Sequence, residues 1–259
     1  MKLTNLKAFN FEGAFRGMRS PLESWKKSDS FFDINCDECT LECSNCQVLN
    51  GIGNIIGPND LNLAQKLILA GSEHRKFLRQ IIVSFDLTAP LYFWKEFDTY
   101  KIGTVANSTS TMHKIATTSI TLDCFETGDY EPELVYLEGV DYTGDKPFDY
   151  HLCVNDLVEA TGLNSYYEPT IINFLEELRL KYLETKNKKY WKELIRWLPE
   201  SWLQTRTITM SYENIFNIIR QRSNHKLSEW NWLIEQFKQL PYSYELLYSH
   251  IETEDSNED

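Results

Sequence analysis

The chain lacks any apolar run close to the about 18 residues that a membrane-spanning helix needs; charge interrupts its longest hydrophobic stretches within ten residues. It has no surplus of positive charge. Lys and Arg number 26 against 38 Asp and Glu, a net charge of −12, which excludes an indiscriminate grip on nucleic acid or an anionic membrane surface. Met1-Lys-Leu-Thr-Asn-Leu-Lys-Ala8 has no apolar middle of the kind a secretory signal requires, so the reading places the chain in the cytoplasm. Also missing are Gly-x-Gly-x-x-Gly, a Walker loop, a His-Glu-x-x-His pair and a serine-hydrolase elbow. His74, His113, His151, His225 and His250 have no ligand spacing among themselves.

What is present is an ordinary apolar load, 42% hydrophobic and 14% aromatic, too much for a disordered chain. With 259 residues a sizeable core can form without disulfides or metal. Residues 1–57 read as loops and short elements, because Gly13, Gly17, Pro21, Gly51, Gly53 and Gly57 interrupt any period. Pro58 opens a helix with Leu61, Ala64, Leu67 and Ile68 on one face, stopped by Gly71. Residues 80–87 read as one buried strand, and Pro90 sits in the first turn of a helix carrying Leu91, Trp94, Lys95 and Asp98. A polar stretch at 103–113 precedes strands expected near 115–124 and 132–137 and a short helix at 154–161. Pro169 opens a helix with Ile172, Leu175, Leu178 and Tyr182 on one face, and Tyr190, Leu194, Trp197 and Leu198 continue the pattern to Pro199. Thr205–Met210 is β-branched and reads as a strand, Ser211 caps a helix to about Arg222, and Leu227 to Phe237 forms another closed by Pro241. There is no repeat and no low-complexity linker. The expected architecture is therefore one α/β (α+β) domain over 58–251, a central mixed sheet flanked by helices, with an acidic tail at 252–259. That tail holds five acids; without it the net charge is −7.

Cys36, Cys39, Cys43 and Cys46 place four soft ligands within eleven residues. Two Cys-x-x-Cys knuckles suit tetrahedral zinc, but three residues separate them where zinc ribbons have roughly 15 to 20. Structural zinc and reduced, unliganded thiols both remain open. Arg206 is more telling: flanked by Thr205 and Ile208 in an apolar strand, it is expected to be partly buried, and a buried guanidinium needs an anion, an acidic side chain or a phosphate. Arg220, Arg222, His225 and Lys226 cluster at a helix C-terminus, where cations also serve as dipole partners. Lys101, followed by Asn107, Ser108, Thr109 and Ser110, reads either as a solvated turn or as a nucleotide-holding loop.

Two stretches resemble the flavin-dependent thymidylate synthases. The first is Val83-Ser-Phe-Asp-Leu-Thr-Ala-Pro90, then Leu-Tyr-Phe-Trp-Lys-Glu-Phe-Asp-Thr-Tyr-Lys101 and Asn107-Ser-Thr-Ser110-Thr-Met112-His113. The family has a strand, an Ala-Pro turn and a helix bearing Arg-Gln, continuing into Arg-His-Arg-x-x-Ser-x-Asn-Glu-x-Ser-x-Arg-Tyr. The second runs from Arg196-Trp-Leu-Pro199 through Asn217 to Arg222-Ser-Asn-His225 and Glu229, similar to the family's Leu-Pro pair, asparagine-bearing helix and Arg-x-x-x-His-Ala-Gln-x-Glu ending. The departures are specific. Thr99-Tyr100-Lys101 replaces Arg-His-Arg, Lys95-Glu96 replaces Arg-Gln, and Ser211-Tyr-Glu213 replaces Asn-x-Arg. The flavin-side histidine falls at Gln80, with His74 six residues earlier. Each forked guanidinium replaced by Thr or Met forfeits roughly 1.5–3 kcal/mol of charge-assisted bonding.

The resemblance implies that Arg222 faces a pyrimidine deoxynucleotide such as dUMP as its catalytic group, with Ser110, Glu96 and Arg196 on the substrate side; the phosphate is expected on Arg196 or on the partly buried Arg206. It implies Lys101, Asn107, Asn217 and His225 on the side of a flavin, FAD. It further implies a folate as one-carbon donor, reductive one-carbon transfer to the uracil ring, and a homotetramer with sites between subunits. Arg206 has no transferred role; its candidacy rests on burial. A second expectation keeps the fold without the enzyme: a phage-type accessory protein that holds a nucleotide or contacts another protein.

Overall fold

The computed structural model describes residues 1–32, 54–126 and 164–249, with side chains from 171 onward in the last stretch. The expected strand at 132–137, the helix at 154–161, the four clustered cysteines and the acidic tail all fall outside the described residues. A four-stranded antiparallel sheet runs in the order β1-β2-β4-β3, from β1 (Lys2–Phe9), β2 (Ile82–Pro90), β3 (Val105–Ser108) and β4 (Leu203–Ser211). Helices flank it. The chain forms two compact units, and β2 and β4 each pass from one to the other.

The larger, sheet unit comprises Lys2–Leu87, Glu96–Asn107 and Arg206–Asp259. Within it, β2 buries Val83, Phe85 and Leu87, and β4 buries Ile208 and Met210, while Thr207 and Thr209 stay exposed. That period of two directs one face to helices and leaves the other polar. The helices are α1 (Phe11–Arg19), α2 (Pro58–Leu69), α7 (Tyr212–Arg222) and α8 (Ser228–Phe237). Ring pairs knit the core: Phe11 meets Tyr212 edge-on at 5.7 Å, and Phe85 meets Phe237 at 5.7 Å. Pro58 occupies the first turn of α2, and Ser211 caps α7 through a reciprocal capping box with Asn214, both as expected.

The helical unit comprises Met1, Thr88–Lys95 and Ser108–Thr205. It holds α3 (Leu91–Phe97) as far as Lys95, α4 (Thr111–Lys114), α5 (Asn164–Thr185) and α6 (Lys188–Arg196). Ile115, Ile120, Phe125, Leu175 and Leu194 form its core, joined by Ile172, Leu178 and Trp202 at the margin. The face expected on the helix after Pro169 is the face it buries, although α5 begins at Asn164.

Two expectations about local structure are corrected. Residues 115–124 are not a strand but a turn following α4 and a short 3-10 turn at Leu122–Cys124. Thr117 bonds back to the Lys114 carbonyl at 2.7 Å, so hydroxyls there satisfy the backbone locally and compete with a ladder. Conversely, the polar stretch at 103–113 contains β3, an edge strand exposed along its length.

Candidate functional site

The C-terminal end of α3, the end of α7 and the start of α8 bring one polar-aromatic cluster together in the sheet unit. Arg222 is its centre. Its Nε donates to the Tyr100 hydroxyl at 3.1 Å, and its Nη1 donates to Glu96 Oε2 at 3.1 Å and lies 2.9 Å from His225 Nε2. The guanidinium carbon stands 4.8 Å from the centre of the Trp230 ring and 5.8 Å from that of Tyr100. Trp230 is buried, stacks on Phe97 at 6.1 Å and donates its indole N–H to the same Glu96 oxygen at 3.0 Å. Cation–π attraction and two charge-assisted bonds thus fix the fork in one orientation. Arg222 Nη2 has no partner among the described residues, and the side chain is 19% exposed.

His225 is equally constrained. The Leu227 amide donates to Nδ1 at 3.1 Å. Nε2 lies 3.5 Å from Glu96 Oε2. Glu96 is the acceptor shared by Arg222 and Trp230, with His225 beside it.

Arg206 is 16% exposed and donates to Asp98 Oδ1 at 2.7 Å. The anion its burial demands is this acid. Arg206 and Arg222 both come to the end of α3, and each meets a carboxylate of its own chain, Asp98 and Glu96. Arg196 belongs to the helical unit, where it is exposed and pairs with Glu193 one helical turn away. Ser110, in the same unit, caps α4 by accepting the His113 amide at 3.2 Å and lies 2.6 Å from His113 Nδ1, so its hydroxyl is committed locally.

Lys101, Asn107 and Asn217 lie in the sheet unit; the first two are exposed, the third half-buried on α7. None of the three side chains has a hydrogen-bond or ion-pair partner among the described residues. Their donors are uncommitted among the described residues. Among the described residues no group of three or more His, Cys, Asp or Glu is placed to hold a metal, and no helix is long and apolar enough to cross a membrane.

Sequence reasoning missed Tyr100, Trp230 and Gln221, whose side-chain carbonyl accepts from the Tyr100 hydroxyl at 3.1 Å. The aromatic residues around Lys101 and Glu229 were the available signal, but apolar periodicity marks core and site aromatics alike.

No protein-family model matches this chain, and no curated protein matches it in sequence. Two crystal structures of flavin-dependent thymidylate synthase ThyX from Helicobacter pylori, each with FAD and dUMP, share its fold. The first has a TM-score of 0.58 at 15% identity, the second 0.57 at 16%, and both alignments cover 97% of this chain and 99% of the other. The chain has the fold of the flavin-dependent thymidylate synthases.

Proposed function

We propose that this protein binds a pyrimidine deoxynucleotide of the dUMP type and performs thymidylate synthase-type chemistry, reductive one-carbon transfer to the uracil ring. The observation that carries the reading is Arg222: a guanidinium clamped between Trp230, Tyr100 and Glu96 with Nη2 unclaimed, on the fold of a dUMP-binding enzyme. Because Glu96 already balances its charge, the fork suits a ring carbonyl better than a phosphate. Donation from Nη2 would polarise that carbonyl and stabilise negative charge developing on the pyrimidine.

Lys101, Asn107 and Asn217 would hold a flavin, which when bound supplies the hydride for such a reaction. A folate would be the one-carbon donor. The chain's own residues bind and orient: Trp230 sets the plane of the fork, Glu96 its angle, and His225, its Nδ1 held by the Leu227 amide, stands beside it.

The test is calorimetric titration of dUMP into the wild type and Arg222→Ala, together with rescue of a thymidine auxotroph. Micromolar dUMP binding, weakened at least tenfold in the variant, and growth without thymidine are expected. No dUMP binding at millimolar concentration overturns the reading. A second, non-catalytic reading is favoured by one observation: Tyr100 stands within the family's Arg-His-Arg position and its hydroxyl is committed to Arg222 and Gln221. Nucleotide binding without thymidine-independent growth selects it.

A further inference from the structure

We propose that Tyr100 is a positioning residue that makes the site select uracil over cytosine, by pinning Arg222 so that Nη2 alone is left to meet the base. The Tyr100 hydroxyl is gripped from two sides by successive residues of one helix. It accepts from Arg222 Nε at 3.1 Å and donates to Gln221 Oε1 at 3.1 Å, the two residues that close α7. A phenol has one hydrogen; once Gln221 takes it, the oxygen lone pairs are left to Nε. The ring is held as firmly. It meets Trp230 at 5.7 Å and Phe97 at 6.4 Å, and the guanidinium carbon of Arg222 stands 5.8 Å from its centre.

The consequence falls on Arg222. Its Nε is committed to Tyr100 and its Nη1 to Glu96, while Nη2 has no partner among the described residues. A planar fork held at one nitrogen swings about that bond; held at two, it keeps one orientation, and the third nitrogen points one way. What Nη2 offers is donors alone, since a guanidinium has no acceptor. The base that answers it must therefore present an acceptor. Position 4 of uracil is a carbonyl oxygen; position 4 of cytosine is an amine, whose N–H groups would face those of the fork. Uracil O4 is also the carbonyl conjugated with C5, the carbon that receives a one-carbon unit, so negative charge develops there. A base that leaves such a part-buried donor unanswered is rejected more strongly than one that merely lacks a methylene.

Tyr100, Gln221, Glu96 and Arg222 all belong to the sheet unit, so the device is complete within it. It is also this chain's own: Thr99-Tyr100-Lys101 stands where the resembling family has Arg-His-Arg, so the phenol that holds Nε is not carried over from the resemblance. The proposal rests on the dUMP reading of Arg222 and deepens it, naming the base and the side chain that enforces the choice.

The full chain and its Tyr100→Phe, Gln221→Ala and Arg222→Ala variants are titrated calorimetrically with dUMP and with dCMP. The wild type is expected to bind dUMP at least about tenfold more tightly than dCMP. Tyr100→Phe keeps the ring against Trp230 and Phe97 and removes only the hydroxyl, which frees Nε and lets the fork swing on Glu96. It is expected to bind dUMP about three- to tenfold more weakly with dCMP unchanged, so the ratio between them falls by that factor. A residue that served only the fold would weaken both nucleotides alike and leave the ratio intact. Gln221→Ala, at an exposed position, is expected to lower the ratio about two- to threefold, and decides alone should Tyr100→Phe not fold. Equal wild-type affinity for the two nucleotides, or an unchanged ratio in the variant that decides, overturns the proposal; dUMP binding that still depends on Arg222 then keeps the dUMP reading. Wild-type dUMP affinity in Arg222→Ala, or no dUMP binding by the wild type, removes that reading and the proposal with it.

Discussion

Glu96 accepts from both Arg222 and Trp230 on one oxygen, which makes it the most informative single side chain. Replacing it by Gln keeps an oxygen for the Trp230 indole but removes the charge opposite Arg222. Under the proposed function the freed guanidinium attracts anionic ligands more strongly, so Glu96→Gln is expected to bind dUMP about three- to tenfold more tightly, roughly 1 kcal/mol by calorimetry. Weaker binding would show that Glu96 orients Arg222 rather than restraining it. Asp60 offers a test of a different kind. Burial pushes its carboxyl up, but hydrogen bonds from Ser28, Ser30 and Arg19 and the charge of Arg19 outweigh this and hold it below the ordinary value. A carboxyl depressed in the folded state contributes stability that is whole above the unfolded value, near 4, and drains away as pH falls through the depressed one. Urea midpoints are expected to drop below about pH 4 in the wild type, with a shallower acid limb in Asp60→Asn. At this scale the sequence was half legible. That Arg206 needs an anion follows from its flanking residues; that Asp98 answers it does not, because the two lie 108 positions apart and only the fold joins them.

Helix α1 is instructive because its glycines point the wrong way when read alone. Gly13 and Gly17 both lie within it, where glycine ordinarily weakens a helix by up to about 1 kcal/mol. Both are there for room: a Cβ would stand 2.3 Å from Asn10 Oδ1 at Gly13 and 2.4 Å from Gln80 Oε1 at Gly17. Close approach to a residue 63 positions further along leaves no local trace, so the helix was invisible to periodicity. The cap of α7 was legible because it is local: Ser211 and Asn214 complete a reciprocal box within four residues. Asn214 does more than cap. Its Nδ2 donates to the Ile102 carbonyl at 2.6 Å and tethers the loop after Lys101. Asn214→Ala is expected to cost about 1–2 kcal/mol in chemical denaturation and to speed amide exchange across 102–104. Gly103 has a positive φ of 75° and a would-be Cβ 3.1 Å from Asn214 Oδ1, so Gly103→Ala is expected to destabilise by about 1 kcal/mol through both strain and crowding.

For the whole molecule, two blocks of about thirty residues each pointed to a fold that the structure then carries over nearly the full chain, though identity to the aligned enzymes is only 15–16%. Fold survives such divergence because burial patterns such as Val83, Phe85 and Leu87 tolerate exchange of one apolar residue for another. Ligand contacts do not, since a fork replaced by a hydroxyl changes what is bound. Global stability therefore offers a test of binding that needs no assumption about which contacts remain. A ligand that binds only the folded chain stabilises it by about 2.7 kcal/mol at one hundred times its Kd. For a chain of this length each kcal/mol moves the melting temperature by about 2–4 °C, so saturating dUMP is expected to raise Tm by about 5–10 °C. Arg222→Ala should melt near the wild-type temperature without ligand and lose most of that rise, because its side chain is part-exposed and its removal leaves Trp230 still bonded to Glu96. A wild-type Tm unmoved by millimolar dUMP would reduce the likeness to a shared scaffold, while an equal rise in Arg222→Ala would place the nucleotide on other side chains of the same fold.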